Sequence, residues 1–310
     1  MVTRWAFLIA VFACSAAFGR AEVQTYPAKE AKVRIVSFGT VIDPQTQMRE
    51  SQQFAKSLAA PDSPQWQAKG DQRRTYRFPA AGEEIPYRVC VPSKWDGKSK
   101  LPLVMFLHGG WNTESSYLDA NDKQMVKLAD AHGYLLVSPL GCKAAYGNFL
   151  HLPAVFGQPA AAAEIKTKVT PERERAQELS EKDVINVLEM VLNEYPVDRT
   201  QLFLTGHSMG SGGTWYLGAK YSEYWRALAP MSGPFVDEAG YPWDRIRNMP
   251  IFMSEGTRAP ASLEGSRQMR DYMKGHGFNL EYKEVEADHP GMVPLVLPDV
   301  FDFFDRCRKK

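Results

Sequence analysis

Neither sign of charge dominates the 310 residues, because 37 lysines and arginines stand against 36 aspartates and glutamates. That balance removes the electrostatic reason to expect nucleic acid or an anionic membrane as a partner, and small neutral or mildly charged substrates fit better. Cysteine is scarce, with four in all and three beyond residue 21: Cys90, Cys142 and Cys307. Their odd number and wide spacing give no disulfide framework, and buried, unpaired thiols are expected. No CxxC or HExxH occurs, so a metal site has no sequence support, and no organic cofactor is implied. Internal repeats and low-complexity linkers are also missing. The one sustained apolar run, Trp5 to about Ala13, falls well short of the roughly 20 residues that span a bilayer. An arginine before it and Gly19 and Ala21 after it make residues 1–21 read as a cleaved signal peptide, implying a secreted or periplasmic protein without an integral membrane segment. Cys14 in "VFAC" would suit a lipoprotein signal, but Phe12 is a poor residue for that motif.

With 44 % hydrophobic residues over its full length, the chain can bury a sizeable core. Residues 22–74 are polar and mixed, with "VRIVSF" an expected strand, and read as an extension capping a main domain over 75–310. From Thr75 a rhythm of strands and helices sets in. "LPLVMFLHGG" is apolar throughout, as a strand covered on both faces must be. "DKQMVKLADAHG" is helical and ends at the C-cap candidate Gly133; "YLLVSPLG" is a buried strand; "SEKDVINVLEMVLNEYP" is a helix with Ser180 as expected N-cap. "WRALAPMSG", "MPIFMSEG" and "LEYKEVE" read as strands, and "SLEGSRQMRDYMKGHG" and "PLVLPDVFDFFDRCRK" as helices. This alternation predicts an α/β fold, a mostly parallel sheet with helices on both faces. Residues 143–178 break the rhythm and read as an insertion at the strand ends, where ligands bind.

Gly206-His207-Ser208-Met209-Gly210 is a weak motif alone, since glycine and serine are common. Its setting strengthens it. "LFLT" before it is a buried strand and "SGGTWYLGAKY" after it is a helix opening with small residues, the strand-to-helix elbow that exposes a nucleophilic serine. The elbow also puts the Met209 amide at a helix N-terminus, facing a developing oxyanion. Of six histidines, His289 in "EVEADHPGM" follows the last expected strand, where the chain order serine, acid, histidine places the base. His108-Gly109-Gly110-Trp111 forms a turn after a buried strand, and the amide of Gly110 or Trp111 is the candidate second oxyanion donor. His108 itself is expected to order that loop, and the Trp111 indole either lines the pocket or packs.

These stretches, with "VDRTQLFLTGHSMGSGGTWYLGAKY", "APMSG" and "DHPGMVPLVLPDVFDFF", resemble an α/β-hydrolase of the prolyl-oligopeptidase-like and polyhydroxybutyrate-depolymerase-like esterase group, which includes feruloyl and acetylxylan esterases. The resemblance covers roughly residues 75–308. It implies the α/β-hydrolase fold and serine-dependent acyl hydrolysis, with Ser208 as nucleophile, His289 as base and Met209 in the oxyanion hole. It also implies an aspartate shortly after the glycine ending the seventh strand, in a stretch resembling H-G-x-x-D. Here the sequence reads Ser254-Glu255-Gly256-Thr257-Arg258-Ala259-Pro260, with no acid in that slot. Either the acid comes from elsewhere, or a serine–histidine pair suffices, or activity is lost. Asp237, after the sixth strand beside Glu238, is the first candidate acid and Glu255 the second, with Glu264 a further option. Two other readings stay open beside ester hydrolysis: a serine peptidase or amidase using the same residues, and a non-catalytic binding protein on a degraded hydrolase scaffold. The ester itself, small or linked to a polysaccharide, does not follow from the sequence.

Overall fold

The structure is a computed structural model and describes residues 42–142, 156, 171–234, 236 and 241–308. The signal-peptide reading of residues 1–21, the expected strand "VRIVSF" and nearly all of the insertion up to residue 170 therefore lie outside the described residues.

In chain order the elements are α1 (Pro44–Ser57), β1 (Gly70–Phe78), β2 (Glu83–Val91), β3 (Leu101–Leu107), α2 (Ser116–His132), β4 (Leu135–Pro139), α3 (Pro171–Glu194), β5 (Val197–His207), α4 (Met209–Lys220), β6 (Trp225–Met231), β7 (Ile251–Gly256), α5 (Pro260–Gly275), β8 (Leu280–Val285) and α6 (Met292–Cys307). The eight strands form one sheet in the order β1-β2-β4-β3-β5-β6-β7-β8. β1 and β2 pair antiparallel, β2 meets β4 antiparallel, and every pairing from β4 across to β8 is parallel. The expected α/β architecture is thus present.

β3 shows why both faces are covered. All seven of its residues are buried, and they alternate between two cores as a period of two requires. Leu103, Met105 and Leu107 join a cluster with Val184 and Leu188 of α3, Trp215 of α4 and Met269 of α5. Val104 and Phe106 join one with Leu118 and Met125 of α2 and Val296, Val300 and Phe304 of α6.

Two helix expectations need correction. Ser180 is not an N-cap: it is buried within α3, which begins nine residues earlier at Pro171. Proline is tolerated in a first turn, and the run "ERERAQELSEK" consists of good helix formers, so nothing stops the helix before the apolar stripe starts. α2 starts upstream of the expected "DKQMV…" segment but leaves helical geometry at Ala120–Lys123, three of whose residues have positive φ. Gly133 caps it in the left-handed conformation, φ 75°, as expected. Cys90 and Cys307 are buried free thiols. No helix of the described residues is long and apolar enough to cross a membrane.

The order of strands places the ligand crevice. β3 leads to β4 on one side, and the chain then returns to lay β5 on the other, so the loops after β3 and β5 diverge at a topological switch point. α4, the helix after β5, is fixed from behind by a buried ion pair, Lys220 Nζ to Glu181 Oε1 of α3 at 2.7 Å, with Tyr216 and Tyr221 also donating to that carboxylate. At its front end α4 presses on β3. A Cβ on Gly210 would overlap the carbonyls of Leu107 and His108, and one on Gly206 would overlap the Gly210 backbone. Gly210→Ala is therefore expected to destabilise the fold by more than about 3 kcal/mol, at or above the usual overpacking cost. Gly110→Ala, whose Cβ meets nothing within 4 Å, should leave the midpoint of chemical denaturation unchanged. Equal midpoints for the two variants would refute the close-approach reading.

Candidate active site

Ser208 separates β5 from α4 and sits at φ 57°, ψ −115°. Positive φ in a residue with a Cβ costs of order 1–3 kcal/mol and persists only where surrounding structure enforces it. Here the Ser208 amide donates to the carbonyls of Met231 (3.0 Å) and Ser232 (3.1 Å), while its own carbonyl accepts from Gly212 (3.1 Å). The hydroxyl makes no capping bond to the helix it precedes, so it is not spent on holding α4. Met209 is the first residue of α4, where the amide has no acceptor within the helix.

The turn after β3 lies beside this elbow because Leu107 pairs with Gly206 in adjacent parallel strands. His108 is buried, with Nδ1 2.8 Å from the Gly109 carbonyl and Nε2 2.9 Å from the Leu140 carbonyl. It ties the turn to the segment after β4, the ordering role expected of it. Gly110 is partly exposed, and Trp111 is 86 % exposed at φ 59°, so its indole is not packed into the core.

His289 lies in the turn between β8 and α6. Its Nδ1 is 2.7 Å from the Ser232 hydroxyl, which is itself 2.6 Å from Glu255 Oε1. Glu255, fully buried at the end of β7, also accepts from the Gly256 amide (3.1 Å) and, through Oε2, from Ser266 of α5 (2.7 Å). Burial pushes its carboxyl above the usual range, while the donors around it pull the other way. Three donors on one carboxylate is the arrangement of an ionised group, so the Ser232 proton points to Glu255 and the imidazole Nδ1–H points to Ser232. The second-choice acid thus reaches His289 through one hydroxyl rather than directly. The first choice, Asp237, lies outside the described residues, as does Glu238. Glu264 is exposed on α5, bonded to Gln268.

His207, the histidine of the elbow motif, has a different place. Tyr117 donates to its Nδ1 at 2.6 Å, and its Nε2 donates to the His289 carbonyl at 2.9 Å. The two histidine rings lie 4.6 Å apart. Burial, with the nearby His289 adding to it, pushes the His207 imidazole down to about 3, so it stays neutral. Burial also lowers His289, opposed by Asp288. Ser232, Ser266 and Tyr117 were not foreseen. Their partners lie 57, 11 and 90 positions away in the chain, and no local pattern marks such pairs. Among the described residues no group of three or more histidines, cysteines or acids could hold a metal ion.

An esterase family model matches residues 79–289, which includes the β3 turn, the elbow, β7 and His289. The chain belongs to this esterase family. It is 26 % identical over 208 residues to the bifunctional acetylxylan esterase/xylanase XynS20E of Neocallimastix patriciarum, a match covering 67 % of this chain and 25 % of that protein, so it spans about a quarter of that relative. Among solved structures it resembles the fluorophosphonate-binding serine hydrolase F of Staphylococcus aureus, with a TM-score of 0.58, 15 % identity and coverage of 78 % of this chain and 100 % of the other. It also resembles a ferulic acid esterase of Anaeromyces mucronatus bound to ferulic acid, with a TM-score of 0.52, 17 % identity and coverage of 78 % and 92 %. At these identities the structural likenesses show the fold.

His207 has a consequence for stability in this esterase-family chain. Its folded pKa is depressed from 6.5 to about 3, so between those values the unfolded chain binds the extra proton and stability falls as pH falls. His108 and His289, also lowered, act in the same direction. The melting temperature is expected to drop from about pH 6.5 downward, and His207→Gln should make that slope shallower. An identical slope in the variant would remove His207 as a cause.

Proposed function

We propose that the chain is an exported serine hydrolase that cleaves carboxylic esters through an acyl-enzyme on Ser208. The observation that carries this reading is the strained Ser208 at the β5–α4 elbow, whose hydroxyl is left uncommitted by the helix. A residue of that kind is held at the price of stability, and reactive chemistry is the usual reason.

In this reading the tautomer of His289 sets the direction of proton transfer. With Nδ1–H engaged by Ser232, the other ring nitrogen carries the lone pair. Nε2 takes the Ser208 proton as Oγ bonds to the ester carbonyl carbon, and the carbonyl electrons move onto oxygen. The amides of Met209 and of Gly110 or Trp111 stabilise that oxyanion. Collapse of the intermediate expels the alcohol, which leaves with the proton from His289. Water then attacks the acyl-enzyme with His289 again as base, freeing the acid and restoring Ser208.

Family membership and the acetylxylan and ferulic acid esterases among its relatives favour small or polysaccharide-linked esters as substrates. Export rests on the sequence of residues 1–21. Trp111, exposed beside the proposed oxyanion donors, is suited to stack on an aryl or sugar ring at the mouth of the site. Ser208→Ala is expected to lower turnover of p-nitrophenyl acetate by on the order of 10⁶-fold and to abolish fluorophosphonate labelling. A panel of p-nitrophenyl acyl chains, feruloyl esters and acetylated xylan would rank substrates. Cleavage of peptidyl amides with no ester turnover would replace the esterase reading by a peptidase, and absence of labelling in the wild type would leave a binding protein.

A further inference from the structure

The family pattern expects a carboxylate in the loop after β7, and at those positions the chain has Thr257, Arg258 and Ala259. The backbone there has another use. The Thr257 amide donates to the Val285 carbonyl and the Arg258 amide to that of Ala287, both at 2.9 Å, while a Cβ on Gly256 would meet the Ala287 carbonyl at 2.7 Å. The loop after β7 thus clamps the segment that carries His289. A carboxylate stands one residue before Gly256, at Glu255 in the strand, and the Ser232 hydroxyl lies between it and His289.

Ser232 is built for that position. It stands at φ 49°, a left-handed conformation imposed by its backbone bonds, the amide to Ser254 O (2.9 Å) and the carbonyl from the Ser208 amide (3.1 Å). One residue therefore touches the backbone of the proposed nucleophile, the imidazole of the proposed base and the buried carboxylate. We propose that Glu255 acts as the acid of this site through the Ser232 hydroxyl, so that Ser208, His289, Ser232 and Glu255 form a relayed tetrad in place of a direct triad. When His289 takes the Ser208 proton, the positive charge on the imidazolium is stabilised by the Glu255 anion across one polarised hydroxyl. Nδ1 keeps its proton throughout, and Glu255 is not protonated. Ser232 is a positioning residue that fixes the imidazole tautomer and ring direction. This proposal rests on the acyl-transfer reading of Ser208 and His289.

The groups facing His289 define the controls. The His207 ring of β5 lies tilted against it, Asp288 adjoins it in its own turn, and Ser232 with Glu255 behind it approaches from the ends of β6 and β7. Glu255→Gln keeps the shape and removes the charge. Ser232→Gly removes the hydroxyl and suits a positive φ. Each is expected to lower kcat on p-nitrophenyl acetate by about 10²- to 10⁴-fold, with KM little changed, by the precedent of triad acids. The double variant should be no worse than the poorer single one, because the two residues act as a unit. The acid limb of the kcat/KM profile should move to lower pH in Glu255→Gln, since an imidazolium without its anion loses its proton more easily. Asp237→Asn and Asp288→Asn should keep kcat within a few fold.

Retention of kcat in Glu255→Gln, or loss of it in Asp237→Asn or Asp288→Asn instead, overturns the relay while wild-type labelling and turnover keep the serine-hydrolase reading intact. Failure of the wild type itself to label or turn over ester sinks both. Should the Glu255 or Ser232 variants not fold, ¹⁵N-histidine NMR of the wild type decides: the relay requires His289 as the Nδ1–H tautomer at neutral pH, and an Nε2–H tautomer overturns it.

Discussion

Everything around the candidate site depends on how closely the start of α4 approaches the end of β3. Two backbones pass where a single methyl group would overlap a carbonyl, so Gly206 and Gly210 are required by space rather than by flexibility. That approach sets the elbow at Ser208 and Met209 beside the turn that begins at His108. The buried Lys220–Glu181 pair prevents α4 from backing away. An ion pair so deeply buried adds little net stability against an apolar alternative, but losing one partner alone is expensive, which gives the helix a single seat.

Around this contact the polar groups form a continuous chain. Tyr117 bonds to His207, His207 to the backbone of His289, His289 to Ser232, Ser232 to Glu255, and Glu255 to Ser266. Each link comes from a different element, so the segment bearing His289 is held from β5, from the end of β6 and, through Gly256, from β7. A polar chain of this length, most of it buried, is tolerable because none of its buried side-chain atoms lacks a partner. Neutral His207 matters here: a charged ring beside His289 would oppose the imidazolium that the proposed mechanism needs.

The fold was largely legible in the sequence, because its signals are local. "LPLVMFL" could only be a strand covered on both faces, Gly133 marked the end of α2, and the elbow showed itself by a strand running into a glycine-rich helix start. What misled was also local. Ser180 resembles an N-cap, yet the charged run before it extends α3 back to Pro171 because favourable helix propensity needs no apolar stripe to continue a turn already begun.

By itself the sequence determined the α/β alternation, the elbow serine, the histidine after the last strand and the absence of an acid from its usual slot, since each follows from residues near one another in the chain. Only the tertiary structure decided which carboxylate is linked to that histidine. In sequence Glu255 is the second of several candidate acids, and it is the packing of β6, β7 and α5 that draws Ser232 and Ser266 onto its two oxygens. The identity of such a partner is set by which strand ends are neighbours in the sheet. Sheet neighbours are fixed by long-range packing, on which spacing along the chain is silent.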